Sequence, residues 1–168
     1  MTAEGIAYGP KAQDPIGVYS HGTHVAGTVG AARNGIGVIG VAPDAELVLV
    51  KVLFNEGSGS FVDVLEGIIY AANVDADVIN MSLGADIPQG LGIGSNEVAA
   101  LRAVMNRAIG YAYQSGATVI AAVGNEGRDL DKDQSTNVFP AQLAQAIAIS
   151  ATAPIGWAVD PVGTSLDN

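Results

Sequence analysis

The chain has 168 residues, of which 17 are acidic and 7 basic, for a formal net charge of −10, and 49% are hydrophobic. That length suits one domain with a core of its own, and such hydrophobicity with only 14% charged residues excludes a disordered chain. The absence of cysteine excludes a disulfide scaffold, a Cys-ligated zinc, an iron–sulfur cluster and a thiol nucleophile, while the acidic balance argues against nucleic acid and an anionic membrane surface and suits calcium, which takes oxygen ligands.

Residues 1–20 show no clean periodicity and read as loop, without the basic flank and apolar run of a signal peptide. Residues 21–32, HGTHVAGTVGAA, follow with Val25, Ala26 and Val29 at helical spacing and a turn signal at Asn34-Gly35. Gly22, Gly27 and Gly30 cost this helix about 1 kcal/mol each relative to Ala, so a buried helix with close backbone approach is expected. Residues 46–53, ELVLVKVL, are a β-branched apolar run that reads as a strand. Val62, Leu65, Ile69 and Ala72 mark the next helix, and residues 77–81, DVINM, the next strand. Residues 86–94 read as a loop. Val98, Leu101, Met105, Ala108 and Ala112 mark a long helix that starts near Ser95 or Asn96 and is ended by Gly116. Residues 117–123, ATVIAAV, and 146–150 are further strands, separated by a polar loop over 127–137. The longest apolar stretches are far too short to span a membrane.

Alternating strands and helices predict an α/β domain, and continuous apolar runs predict parallel strands buried on both faces. Sites in such sheets lie at the carboxyl ends of the strands. Those ends carry Glu56-Gly57-Ser58-Gly59, Ser82-Leu83-Gly84 and Gly124-Asn125-Glu126-Gly127, which are expected to open on one side of the sheet. Gly35-Ile36-Gly37-Val38-Ile39-Gly40 matches the dinucleotide fingerprint in letters but not in context. A nucleotide loop follows a strand and opens a helix, whereas these glycines follow a helix and lead toward a strand. A zinc reading of His21 and His24 lacks the His-Glu-x-x-His pattern and a third ligand.

The segment Ser20-His21-Gly22-Thr23-His24-Val25-Ala26-Gly27-Thr28 resembles the histidine motif of the subtilases, the subtilisin-like serine peptidases. The resemblance continues through residues 37–43, Lys51-Val52-Leu53, residues 78–84 and residues 121–127, in the family's order, and covers about residues 20–150. It implies a three-layer parallel-sheet subtilisin-like α/β fold, here expected to be incomplete at both ends, with residues 1–19 and 151–168 as loop-rich flanks. It implies a serine-type endopeptidase in which His21 is the general base and Asn125 donates its amide to the oxyanion. His24, one turn further on, reads as an ordinary helix residue. Gly57, Ser58 and Gly59 with Ser82, Leu83 and Gly84 would grip an extended peptide through its backbone, and Leu53 and Phe61 would line side-chain pockets. Ala32, Asn34, Ile36 and Val38 resemble the ligands of the family's calcium loop. The chemistry itself requires no cofactor, so calcium would be structural. The implied partner is a polypeptide substrate, with no nucleic acid and no membrane. The family also implies a pro-segment and an extracellular location.

A subtilase uses Asp, His and Ser in that chain order. No Asp-Thr-Gly or Asp-Ser-Gly motif precedes His21, and Asp14, in Gln-Asp-Pro-Ile, is a poor substitute. Gly163-Thr164-Ser165 lacks the following Met-Ala and the helix that the nucleophile opens, and lies too close to Asn125 in sequence, so Ser165 reads as a decoy. The chain is therefore expected to be the central portion of a catalytic domain and inactive alone. A degenerate subtilase-like protein that binds peptides without cutting them is the alternative.

Overall fold

The computed structural model describes residues 21–54, 56–89, 94–133 and 135–152. In chain order the elements are α1 (His21–Gly30), α2 (Phe61–Asn73), β1 (Val78–Met81), β2 (Ala85–Pro88), α3 (Ser95–Gln114), β3 (Thr118–Ala122), β4 (Thr136–Phe139) and β5 (Ala146–Ile149). They form a three-stranded sheet in the order β1-β3-β5 and a two-stranded ribbon, β2-β4. The chain divides into two compact units. One takes the chain up to Ile79 with Ala108–Ala117, and the other takes Asn80–Arg107 and the chain from Thr118 onward.

In the first unit, α1 ends in a loop that turns back on it. The amides of Gly40, Val41 and Ala42 donate to the carbonyls of Ala31, Thr28 and Val29 at 2.9, 3.1 and 2.8 Å. The orphan carbonyls of the helix end are thereby satisfied from outside the helix. Gly40 is required there, since a Cβ would stand 2.5 Å from the Ala31 nitrogen. The expectation of a buried α1 is not met, because the helix has no buried residue. Among the described residues nothing comes near a Cβ built at Gly22 or Gly27, while at Gly30 another segment approaches, with Leu47 Cδ1 2.8 Å from where a Cβ would lie.

Helix α2 is capped by Ser60, whose Oγ accepts the Asp63 amide at 3.1 Å. Its buried residues are Val64, Gly67, Ile68, Ala71 and Ala72, whereas Val62 and Ile69, expected inside, are exposed. The shift has a local cause. Gly67 looks like a break in the apolar pattern, yet it is where Val50 and Val52 press against the helix. The run that carries those valines, residues 46–53, is not a strand. A strand needs a second backbone to bond with, and among the described residues this run has none. Its side chains pack on the helices instead.

Helix α3 begins as expected at Ser95, with the Gly94 amide donating to Glu97 Oε2 at 3.1 Å. It ends at Gly116, whose φ of 99° permits the Ala117 amide to reach the Ala112 carbonyl at 3.0 Å.

In the second unit, β3 and β5 are parallel, with Val119 opposite Ala146 and Ala122 opposite Ile149. Burial on both strand faces is not observed. Val119 and Ala121 are buried on β3, while Ile147 and Ile149 on β5 are each 50% exposed. The β2-β4 ribbon lies largely within the stretches 86–94 and 127–137 that read as loop in the sequence. It is antiparallel, with Ala85 opposite Phe139 and Pro88 opposite Thr136. Short, polar strands carry little sequence signal, and what makes this ribbon possible is distant. Arg102, on α3, donates to Asn137 Oδ1 and lies 5.0 Å over the Phe139 ring, so a buried carboxamide is paired and a ring face is covered.

Gly67→Ala separates helix propensity from packing. Alanine gains about 1 kcal/mol as a helix former, but its Cβ would lie 2.5 Å from Val52 Cγ1 on a stiff β-branched side chain. Overpacking costs about 1–3 kcal/mol, so chemical denaturation is expected to show a net loss of stability that adding Val52→Ala relieves. A higher midpoint for the single variant would contradict the packing account.

Candidate active site

His21 is the first residue of α1 and is half-buried, while His24 is exposed, its carbonyl accepting Thr28 Oγ1 at 3.1 Å. In the same unit, a tight turn closed through Phe54, Gly57 and Ser58 leads into α2. The Phe54 amide donates to the Ser58 carbonyl at 2.7 Å and the Gly57 amide to the Phe54 carbonyl at 3.0 Å. Gly57 has φ 83°, and Ser58 Oγ donates to Glu56 Oε1 at 3.3 Å. At Gly59 a Cβ would lie 2.5 Å from the Val52 carbonyl oxygen, so this glycine serves close approach of the chain to itself. Leu53 and Phe61, at the two ends of the turn, are half-buried, and Gly59 and Ser58 are exposed.

The second unit brings two expected segments together. Beyond β1, Ser82 Oγ accepts from Asn80 Nδ2 at 3.0 Å. A Cβ on Gly84 would lie 3.3 Å from the Phe139 oxygen and 3.7 Å from the Ala122 oxygen. The segment Ser82-Leu83-Gly84 therefore runs beside the carboxyl end of β3, where Asn125 sits. Val123 continues the ladder by donating to Ile149 at 3.1 Å. Gly124 then turns at φ 104° and Gly127 at φ 63°, two conformations that L side chains rarely take. Between them Asn125 is exposed, with its backbone amide donating to Glu126 Oε2 at 2.8 Å. An exposed carboxamide offers two N–H donors, the kind of group that can hold a carbonyl oxygen.

Two features of this corner carry no local sequence signal. Arg128 pairs with Asp86 at 3.3 Å, with side chains 33% and 27% exposed, across a gap of 42 positions (128 − 86). Glu126 lies against Gly124, where a Cβ would stand 2.6 Å from its Oε2.

The loop from Ala32 to Val38 is exposed throughout. Asn34 Oδ1 accepts the Ile36 amide at 3.0 Å and the Ala32 carbonyl accepts the Asn34 amide at 3.0 Å. Arg33 pairs with Asp44 at 3.4 Å. Four oxygens, two already engaged, fall short of the six to eight that calcium takes, so these residues do not by themselves fit the ion. No group of three or more His, Asp or Glu that could hold a metal occurs among the described residues. Asp14 and Ser165 lie outside the described residues, and so does the tail from 153 onward.

Comparison with known proteins adds the family. A model of the subtilase family matches residues 4–157. Subtilisin E of Bacillus subtilis (strain 168) is 45% identical over 132 residues, 79% of this chain and 31% of that protein. Subtilisin Savinase of Lederbergia lenta is 41% identical over 143 residues, 85% of this chain and 45% of that protein. Among solved structures, the epidermin leader peptide processing serine protease of Staphylococcus aureus superposes with TM-score 0.63 at 26% identity, over 74% of this chain and 32% of that one. Sphericase does so with TM-score 0.57 at 34% identity, over 74% and 37%. The chain thus spans less than half the length of each of these relatives.

The loop after Arg128 offers a titration test. Asp133 accepts hydrogen bonds from the Ser135 hydroxyl and amide, and these hold its carboxyl below the ordinary carboxylate range against the opposing effect of desolvation. A depressed folded value means that its contribution is present above the unfolded carboxylate pKa and lost as pH falls through the folded one. Carboxyl-carbon NMR titration of Ser135→Ala is expected to move Asp133 upward. An unmoved titration would refute the hydroxyl as the main cause.

Proposed function

This chain belongs to the subtilase family, and we propose that it forms the part of a subtilisin-like serine endopeptidase that supplies the general base and one oxyanion donor. The supporting observation is the exposed Asn125 carboxamide beyond β3, beside the main chain of Ser82-Leu83-Gly84.

In this reading His21 takes the proton from a serine hydroxyl as the oxygen attacks the scissile carbonyl, then gives it to the departing amine. Charge accumulates on the carbonyl oxygen in the tetrahedral intermediate. The Asn125 amide meets it there, where a preorganised donor is worth more than in water. The backbones of residues 57–59 and 82–84 hold the peptide extended by strand-like pairing, with Leu53 and Phe61 against its side chains. The aspartate that orients the histidine and the serine nucleophile are not present here in the family's motifs. We assign them to sequence other than these 168 residues, so this polypeptide alone does not turn over amide substrates. The substrate is a polypeptide and the working location extracellular. No step depends on calcium.

The test is to graft the matched segment into Subtilisin E in place of its own. The graft should hydrolyse a peptide anilide, and His21→Ala should abolish this, by about 10⁶-fold if the loss carried over from subtilisin itself applies. Asn125→Ala should lower kcat by about 10²–10³, a magnitude also taken from subtilisin's own donor, with KM little changed. Full activity in the His21→Ala graft would defeat the assignment. So would stoichiometric labelling of Ser165 by a fluorophosphonate in the isolated chain, while a graft inactive from the outset would favour a peptide-binding protein that does not cut.

A further inference from the structure

We propose that Arg128 and Asp86 are positioning residues that hold the Asn125 loop in register with the peptide-gripping segment. The proposal rests on the reading of Asn125 as oxyanion donor.

Three observations lead to it. First, the loop has a glycine at each end. Gly124 and Gly127 bracket Asn125-Glu126 with φ values of 104° and 63°, and glycine has the most backbone freedom to lose on ordering. Second, the hydrogen bond made by Asn125 does not anchor it to anything else, since its amide donates to its neighbour Glu126, which moves with the loop. Third, the Arg128–Asp86 pair reaches out of the loop. Asp86 lies two residues beyond Gly84 and opposite Val138 in the β2-β4 ribbon, so its backbone is fixed by a ladder. Its Oδ1 also comes within 3.9 Å of where a Gly124 Cβ would be. The pair therefore ties the Asn125 loop to the β2-β4 ribbon.

The charges around Arg128 suit this role. It pairs directly with Asp86. A planar guanidinium with several fixed donors holds a carboxylate in one orientation better than an ammonium does. The half-exposed setting also matters, because partial burial limits screening without imposing the cost of a fully desolvated pair. Substrate binding along residues 82–84 would not need the loop's exact placement. Charge stabilisation by Asn125 would, since a misplacement of about 1 Å at a reacting centre can cost about 10²-fold in rate.

The experiment is a double-mutant cycle in the Subtilisin E graft, with Arg128→Gln, Asp86→Asn and both together. Each single variant is expected to lose about tenfold in kcat with KM within about twofold. The double variant should lose no more than either single one, and Arg128→Lys should recover part of the loss. In an Asn125→Ala background, Arg128→Gln should have no further effect on kcat, a result that a general loss of structure would not produce. Singles within about twofold of the parent, or a double variant showing the product of the two losses, would overturn the proposal. A silent Asn125→Ala with an active graft would instead remove the reading beneath it. Should the graft lack activity, amide order parameters in the 168-residue chain decide the matter. Arg128→Gln should drop Asn125 from about 0.85, typical of rigid backbone, toward 0.6, and an unchanged value would count against the tie.

Discussion

The second unit depends on a near contact at Gly84. There the chain leaving β1 passes a hypothetical Cβ distance of 3.3 Å from the Phe139 oxygen and 3.7 Å from the Ala122 oxygen. A side chain there would press on the Phe139 oxygen and only touch the Ala122 oxygen. Because the chain fits, Ala85 can pair with Phe139 and start the β2-β4 ribbon, and residues 82–84 can run beside the end of β3. The candidate site follows from that pairing. The segment 82–84 and the loop that carries Asn125 leave neighbouring strands, and the ends of β3 and β4 both lie close to Gly84.

Glycine does different work in the first unit. Gly40 lets the loop close over the carbonyls of α1, and Gly67 lets Val50 and Val52 pack into α2. Both positions are closed to a side chain by atoms of this chain itself. The glycine-rich run after α1 thus has a structural origin in helix capping, which explains why it matches a nucleotide fingerprint in letters while sitting at the wrong end of a helix. Polar side chains are used in the same economical way. Arg102 serves a buried amide and an aromatic ring at once, and Asn106 accepts the Ala144 amide at 3.0 Å, so α3 is joined to β4 and the turn after it by side chains of one helical stretch.

Helix boundaries were legible because they are written locally. The start of α3 at Ser95 and its end at Gly116 were read directly, and the Ser60 cap of α2, which was not, is equally local. Strands β1, β3 and β5 were legible as apolar runs, though not their exposure: a run of Ile and Val states affinity for a nonpolar surrounding, not whether a neighbour covers it. The same limit explains residues 46–53, where the apolar signal was present and the ladder partner was not. The ribbon was missed for the opposite reason, since Thr136 and Asn137 read as loop until a guanidinium from 35 positions away pairs with the carboxamide.

From sequence alone came the α/β class, the two ends of α3 and the family, because each is carried by residue types at short spacing. Tertiary structure alone decided which side of α2 is buried, that β2 pairs with β4, and that Arg128 meets Asp86. Those outcomes depend on which distant backbones and charges become neighbours, and no local stretch of chain encodes a distance to a partner it has not yet met.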